Sequence, residues 1–247
     1  MWIYLSNFAA FYARIIKKTI NKMANVKEQN VENLNAKEAF FVKYQKPILI
    51  AVAAIILIIA GIFLYKNYVS GPREAEASTA IAKGQELFAS QEFDKALKGD
   101  GNYKGFIKIA SDYSSTDAGN LANLYAGLCY AGLNKWQDAV KYLEAFSTSD
   151  DAMISPAAVA ALGNAYAHVN QLDKAVDNLK KAASMADKQA ADGVNNSIAP
   201  TFLLQAAQIL ESQNKKADAL KIYQDIKQKY VASPISNEID KYIERAK

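Results

Sequence analysis

The feature that most constrains this chain is a pattern of small and aromatic residues that recurs after 36 residues. Gly127, Tyr130 and Ala139 recur as Gly163, Tyr166 and Ala175. A period of roughly 20 to 50 residues is typical of arrays of helical hairpins. Two helices cross closely where a side chain is nearly absent, and we expect each Tyr to fill the space toward the next hairpin. Because such arrays usually bind other proteins, the pattern predicts an all-α interaction protein.

Two further units extend the pattern less regularly. The third unit holds Ala206, Ala207, Leu210, Ala219, Leu220 and Tyr223. Because Ala175 and Ala219 lie 44 residues apart, we expect a longer loop within 185–197. An N-terminal unit carries Gly84, Leu87, Phe93 and Ala96. A Gly-rich insertion at 98–101 interrupts that unit, and a helix is expected to resume over 103–113. The polar turns between paired helices are expected at 134–135, 170–171 and 214–216.

These units resemble the tetratricopeptide repeat, a helix-turn-helix of nominally about 34 residues. The resemblance implies a right-handed α-solenoid over 78–235. Its three clear repeats would lie at about 119–154, 155–198 and 199–235, after a degenerate repeat at 78–118. Residues 236–247 are expected to form an amphipathic capping helix. Its inward residues would be Ile239, Tyr242 and Ile243, and its outward residues Lys241, Glu244 and Arg245.

A single apolar run precedes the repeats. Ile48 to Leu64 comprises seventeen residues without a charge or a strongly polar group. At about 1.5 Å per residue, a helix of this length covers roughly 26 Å, and flanking tyrosines extend it toward the headgroups. A buried core helix is the alternative, although an all-round apolar helix is unusual in a small helical domain. A cleaved signal peptide is disfavoured, because the Ala-Glu-Ala sequence at 75–77 lies too far beyond the run. We therefore expect an uncleaved transmembrane signal anchor at 47–69.

The flanks of this run predict its topology. Lys27, Lys37, Lys43 and Lys46 precede it, whereas Lys66, Arg73 and Lys83 follow. This modest bias favours a cytoplasmic N-terminus and a repeat domain outside the cytoplasm. Residues 1–46 would then be a cytoplasmic tail, mostly disordered over 25–40. We expect Ser70-Gly71-Pro72 to break the helix and 70–77 to form a linker. Residues 1–22 fit either an interfacial amphipathic helix or an over-called start, with Met23 favoured as the true first residue.

The distribution of charge argues against nucleic-acid binding. The chain has a formal net charge of +4 and a pI of about 8.8. Residues 1–70, however, hold nine Lys and Arg against three Glu, and the remaining residues hold 20 basic and 22 acidic residues. A slightly acidic body offers little attraction to phosphates. The basic excess is therefore a signal of membrane topology.

No arrangement of residues predicts catalysis, a metal site or a bound cofactor. The chain has one His and one Cys, and it lacks zinc-ligand spacing, a nucleophile elbow, a Walker loop and a dinucleotide fingerprint. Cys129 fits a small buried residue on a helix. Asp150 and Asp151 are interpreted as a solvated turn between helices. We therefore expect a protein that is not an enzyme.

The resemblance also assigns a peptide groove. The groove-lining positions are Leu121, Leu124, Tyr125, Leu128, Asn164, His168, Leu204, Gln205, Gln208 and Glu211. His168 fits a groove residue and an ordinary surface histidine equally well. The Lys and Arg pattern that grips the C-terminal tails of cytosolic chaperones is missing at these places. A neutral groove with aromatic and amide groups suits an extended or helical peptide with apolar anchors.

Anchor, linker and repeats together resemble the YfgM family, the ancillary subunit of the bacterial Sec translocon. The resemblance covers roughly residues 35–247. It implies an inner-membrane protein whose periplasmic domain passes newly exported proteins to chaperones, so translocon subunits and periplasmic chaperones are the expected partners. A scaffold of an outer-membrane assembly or another envelope complex, and an accessory regulator of a membrane enzyme, are the alternatives.

Overall fold

A computed structural model describes Arg14, Lys17, Lys18 and residues 36–247. The prediction of an interfacial helix or a later start within 1–22 lies outside these residues, apart from the three named. Every regular element in the described part of the chain is helical. The chain divides into two compact units between Val69 and Ser70.

The first unit contains the apolar helix α1, Ala36–Tyr65. Helical backbone continues without a gap from Tyr44 to Ala89, and its most apolar window has a mean hydropathy of 3.1 with no residue buried. Among the described residues this is the one helix long and apolar enough to cross a membrane. The predicted disorder of 25–40 lies mostly outside the described residues, but Ala36–Phe40 is helical.

The expected helix break at Ser70-Gly71-Pro72 is wrong. A π-helical turn over Lys66–Ser70 leads directly into helix α2, Gly71–Ala89. Residues 71–77, expected as a linker, are therefore helical. Pro72 lies in the first turn of α2, where a residue without an N–H group is tolerated. Proline at this position therefore does not end the helix.

The second unit is a series of helical pairs. The elements after α2 are α3 Phe93–Lys98, α4 Phe106–Asp112, α5 Asp117–Gly132, α6 Trp136–Ala145, α7 Ile154–His168, α8 Leu172–Gln189, α9 Ala199–Ser212, α10 Lys216–Lys229, a 3₁₀ turn Pro234–Asn237 and α11 Ile239–Ala246. Helices α5 and α6, α7 and α8, and α9 and α10 form the three regular pairs. Helices α2 and α3 form the N-terminal pair, with α4 packed beside them.

One turn geometry joins the helices of all four pairs. A residue with a positive φ of 57 to 60° ends each first helix, namely Gln91, Asn134, Asn170 and Asn214. In the first regular pair, Lys135 N–H donates to Tyr130 C=O and Asn134 N–H donates to Ala131 C=O. The same two hydrogen bonds recur in the other three turns. This is the Schellman motif, in which Asn tolerates the left-handed conformation better than most residues. The expected turns at Asn134, Asn170 and Asn214 are confirmed.

Glycine allows the close helix crossing in two of the pairs. A Cβ atom added to Gly127 would lie 2.6 Å from Leu143 Cγ, and one added to Gly163 would lie 2.9 Å from Leu179 Cγ. Each leucine lies on the second helix of the same pair and is buried. Ala207, which is fully buried, occupies the corresponding position in the third pair. The structural role expected for the recurring small residues is confirmed.

The recurring tyrosines do not point toward the following pair. Tyr166 on α7 donates a hydrogen bond to Glu144 on α6, which belongs to the preceding pair. Tyr130 stacks on Tyr142 within its own pair, with ring centroids 5.4 Å apart. The expectation that each Tyr fills the space toward the next pair is therefore wrong.

The irregular segments differ from expectation in detail. Met185–Gln189 belongs to α8, so the longer loop of the second repeat covers 190–198. In the N-terminal pair the helix resumes at Phe106, three residues later than expected. At the other end of the unit, α11 buries Ile239 and Ile243, and Tyr242 is half-buried, as the amphipathic pattern predicts.

Candidate functional site

The first helices of the pairs present one partly exposed face. Helix α5 packs against the first helices α2 and α7, and α9 packs against α8 of the preceding pair. Partly or fully exposed residues follow helical spacing along the first helices. We call these residues the first-helix face: Leu121, Tyr125 and Leu128 on α5; Ala157, Ala161, Asn164 and His168 on α7; Thr201, Leu204, Gln205 and Gln208 on α9.

On α5 the first-helix face is apolar. Leu121 and Leu128 are partly exposed, whereas Leu124 is 7% exposed and packs in the core with Ala139 and Leu143. The structure therefore offers a ligand little of the Leu124 side chain, although the groove prediction includes this residue.

Tyr125 lies between aromatic rings of α2 and α4. Its ring stacks on Phe106 at 5.1 Å and meets the edge of Phe88 at 5.3 Å. Its hydroxyl accepts a hydrogen bond from Gln85 Nε2 at 3.1 Å. Tyr125 is thus held in one orientation, with part of its surface open.

On α7 the face is made of small residues and ends at His168. Ala157 and Ala161 leave room above the helix, and Asn164 is partly exposed between them and His168. The imidazole of His168 is exposed and stacks on the indole of Trp136 at 3.6 Å with an interplanar angle of 2°. Trp136 begins α6 of the preceding pair, so His168 also joins two pairs. This stacking gives His168 a structural role that does not involve catalysis.

On α9 the face is mainly polar. Leu204 and Gln205 are partly exposed and Gln208 is exposed. The Oε1 atom of Gln205 is buried and has no hydrogen-bond partner in the described chain. Glu211, one turn later, accepts hydrogen bonds from Tyr223 and from Arg245 of α11. The Arg245 guanidinium is the main cause that lowers the pKa of Glu211, so this carboxylate is ionised and already paired.

The residues that define the first-helix face include no Lys, Arg, Asp or Glu. Glu211, which the groove prediction includes, lies beyond Gln208 and is paired with Arg245. A face of leucine and alanine side chains with Asn and Gln amides can bury apolar side chains of a ligand. Each amide can also donate to and accept from a peptide backbone. These are the two kinds of contact that an extended or helical peptide needs.

One residue of this face is missing from the sequence prediction. Gln85 directly follows Gly84 of the N-terminal pair and is partly exposed. The residues that follow the other crossing residues are Leu128, Asn164 and Gln208. Three of the four equivalent positions therefore carry amides. Aligning the units on the crossing residue, which is Gly84 in the N-terminal pair, would have found Gln85.

Polar clusters outside this face have structural partners. Asp151 accepts hydrogen bonds from the backbone N–H groups of Met153, Ile154 and Ser155, which begin α7. Burial raises the pKa of Asp151, but the bonds from Ser155, Met153 and Ser149 outweigh it and bring the pKa to about 2. Asp151 is thus a helix-capping residue, and its interpretation as a freely solvated turn residue is wrong.

Nucleophilic and metal-binding chemistry finds no support in the described part of the chain. Cys129 is fully buried, as expected, and burial raises its pKa to about 12, so its thiol stays protonated. No group of three or more His, Cys, Asp and Glu side chains within the described ranges could hold a metal ion. Two open depressions of about 410 and 430 Å³ flank the C-terminal half of α8, away from the first-helix face.

Comparison with known protein families identifies repeats in two of the pairs. The tetratricopeptide repeat family model matches residues 121–149, which cover most of α5 and α6, and residues 202–233, which cover most of α9 and α10. No curated protein matches the sequence significantly. These results identify tetratricopeptide repeats, which support a role in protein–protein interaction. They do not identify the YfgM family.

Proposed function

We propose that this chain, with its tetratricopeptide repeats, is a membrane-anchored scaffold that binds uncharged peptide segments on the first-helix face. The observation that carries the proposal is the composition of that face. Apolar side chains on α5 lead to alanines and Asn164 on α7 and then to glutamines on α9, without a charged side chain. A ligand with acidic or basic anchors would find no counter-charge there. A peptide with apolar anchors and free backbone groups would find both apolar contacts and hydrogen-bond partners.

The arrangement of amides favours recognition of a peptide backbone. Gln85, Asn164 and Gln208 occupy the same place in three of four repeats, so their side chains recur along the array. A peptide in extended conformation also presents its backbone groups at a regular interval. Amides can bond to such groups whatever the ligand sequence, whereas Leu121 and Leu128 would select an apolar side chain. The scaffold would then accept many segments that share an apolar residue.

The membrane assignment rests on α1 and on the lysines before it. An apolar helix followed by the repeat unit suits a single-pass anchor with the N-terminus inside. In this proposal the repeats lie outside the cytoplasm, in the periplasm of a Gram-negative bacterium, and the apolar run 48–64 crosses the inner membrane. The finer proposal is a role in protein export or quality control at the Sec translocon, with translocon subunits and periplasmic chaperones as partners. The resemblance to the YfgM family supports this finer step.

Site-specific photo-crosslinking in intact cells tests the proposal. A photo-reactive amino acid replaces Asn164 or Gln208 on the first-helix face, and crosslinked proteins are identified by mass spectrometry. Lys221 on α10 is exposed and lies on a second helix, so its replacement is the matched control. We expect partners at Asn164 and Gln208 that are missing at Lys221. Equal yields at the three positions would contradict the assignment of the binding face.

The identity of the captured proteins tests the finer proposal separately. Translocon subunits, periplasmic chaperones or exported chains would support a role in export. Outer-membrane assembly factors or a single membrane enzyme would contradict that role and favour the alternative scaffold or regulator. Both of these results would still leave the first-helix face as the binding surface, so the two levels of the proposal fail independently.

A further inference from the structure

The exposed large apolar side chains of the second unit are confined to two loops. Within residues 70–247 they are Met153, Ile154 and Val231, which are 72%, 50% and 71% exposed. Met153 and Ile154 lie where the loop after α6 meets α7, and Val231 lies in the loop after α10. Both loops follow the second helix of a pair: the first leads to α7, and the second leads to the capping helix α11.

These loops belong to one edge of the repeat array, which we call the loop edge. It consists of the segments 70–74, 112–117, 146–155, 187–199 and 229–236. Side chains link the first segments directly. Glu74 accepts hydrogen bonds from Asp117 N–H at 2.7 Å and Ala118 N–H at 2.9 Å. Asn120 exchanges two hydrogen bonds of 2.7 Å with the backbone of Ser147.

Further contacts continue the loop edge to its far end. Lys188 at the end of α8 approaches Asp150 of the preceding loop at 3.7 Å. Its neighbour Asp187 accepts a hydrogen bond from Tyr230 at 2.6 Å and pairs with Lys229 at 2.5 Å. The loop edge is therefore a connected surface from the start of α2 to the loop after α10.

The opposite edge has a different composition. It consists of the turns within the pairs, at 90–92, 133–135, 170–171 and 213–216. Apart from Leu133, which is partly buried, these turns carry Ser, Gln, Glu, Asn and Lys, and none of their side chains is a large, exposed apolar group. The exposed apolar side chains of the unit therefore mark one edge specifically.

The loop edge is also the edge at which the chain enters the repeats. Gly71 begins α2, and Arg73 in its first turn donates a hydrogen bond to Asp112 C=O at 2.8 Å. Six residues, 65–70, lie between Leu64, the end of the apolar run, and Gly71. The seven Cα-to-Cα steps from Leu64 to Gly71 span at most about 25 Å even when fully extended. If the apolar run crosses a membrane, the start of the loop edge is tethered close to the bilayer surface.

We propose that the loop edge docks on the lipid surface, with Met153, Ile154 and Val231 entering the headgroup region. This inference rests on the membrane anchoring proposed above. Separate apolar side chains on short loops suit a bilayer, which accepts each one singly, better than they suit a protein pocket. Lys188 and Lys229 on the same edge already pair with Asp150 and Asp187, so insertion of the apolar side chains, and not contact with lipid phosphates, carries the docking. Tethering by the anchor gives these weak contacts a high effective concentration. Docking would fix the orientation of the first-helix face relative to the membrane.

Depth-dependent quenching in vesicles tests this docking. The full chain is reconstituted into phosphatidylcholine–phosphatidylglycerol vesicles that contain lipids with a quenching nitroxide. Met153→Cys and Val231→Cys are labelled with an environment-sensitive fluorophore, and Lys135→Cys on the opposite edge is the control. All three positions are exposed, so the substitutions preserve the core, and the native Cys129 is buried. Alkaline extraction reports independently whether the chain is anchored.

We expect quenching at positions 153 and 231 to exceed that at 135 by about threefold or more. Equal quenching in a chain that resists alkaline extraction would overturn the docking and leave the anchor intact. Extraction of the chain by alkali would overturn the anchor and the docking together. A change in label fluorescence at positions 153 and 231 that appears only when other membrane proteins are added would also overturn the proposal, because the loop edge would then bind a protein.

Discussion

Replacing Gly127 with alanine should destabilise the first regular repeat, because the added methyl group has no free space. Its Cβ atom would lie 2.6 Å from Leu143 Cγ and 3.1 Å from the backbone nitrogen of Leu143. Leu143 is only 4% exposed and is enclosed by other core residues. The methyl group must therefore displace a buried side chain or separate α5 from α6.

The expected magnitude comes from two opposing effects. Overpacking a well-filled core costs about 1 to 3 kcal/mol. Alanine in place of glycine inside a helix recovers about 1 kcal/mol. We therefore expect Gly127→Ala to lower the free energy of unfolding by about 1 kcal/mol. Gly163→Ala should cost less, because its Cβ atom would lie 2.9 Å from Leu179 Cγ and 3.3 Å from the backbone nitrogen of Leu179.

Denaturation of the full chain in detergent micelles, followed by far-UV circular dichroism, gives the change in stability. Repeat arrays need not unfold in one step, so hydrogen exchange should show the loss concentrated in α5 and α6. In a double-mutant cycle, Leu143→Ala removes the clashing side chain, and Gly127→Ala should then cost at least about 1 kcal/mol less than it does alone. An increase in stability for Gly127→Ala, with additive effects in the cycle, would refute the close-crossing argument.

Three further predictions concern the turns and the helix ends. Gln91→Asn should raise the free energy of unfolding by about 0.5 kcal/mol in denaturation experiments, because Asn accepts a φ of 60° more readily than Gln, and a decrease would count against the shared turn geometry. Asp151→Ala should cost about 1 to 2 kcal/mol at neutral pH by loss of the cap on α7. The folded pKa of Asp151, about 2, lies below its ordinary 3.8, so its contribution is present above pH 3.8 and is lost as the pH falls toward 2. Unfolding measured against pH should show this loss in the wild type and not in the variant. Glu211→Gln should accelerate hydrogen exchange in 239–246, because it removes the charged partner of Arg245, and unchanged exchange would show that this pair does not hold α11.

Much of the repeat architecture can be predicted from the sequence, because it depends on residues with narrow conformational roles. Gly127 and Gly163 mark close crossings, and Asn134 and Asn170 mark turns that need a positive φ. Gln91 adopts the same φ, but glutamine has no special preference for it, so the fourth turn gives no signal in the sequence. The tetratricopeptide family model matches two of the pairs, and the same turn geometry occurs in the other two.

The helix through 66–72 and the role of Asp151 were harder to predict. A Ser-Gly-Pro sequence usually ends a helix, yet here a π-helical turn precedes it and places Pro72 in the first turn of α2. Asp151 lies in the loop three residues before α7, where an Asp-Asp pair normally indicates only solvent exposure. Its hydrogen bonds depend on how the loop folds back, which the local sequence does not specify.

The exposure of the groove residues follows the sequence prediction only in part, and their role in binding stays a prediction. The spacing of first-helix residues correctly places Leu128, Asn164 and Gln208 among partly or fully exposed positions. It cannot separate Leu124 from them, because burial there depends on how close α6 and α7 approach. The stacking of His168 on Trp136 joins residues 32 positions apart in different pairs, which no local pattern reveals.

Peptide selection at different salt concentrations tests the central claim most directly. A random peptide library is displayed against the full chain in detergent micelles, and the enriched peptides are sequenced and titrated. We expect peptides with apolar anchors and few charges, bound with little dependence on salt, because the first-helix face has no charges to screen. Binding should weaken in Asn164→Ala and not in Lys221→Ala. Enrichment of strongly acidic or basic peptides whose affinity falls steeply with salt, and is equal in both variants, would contradict the account.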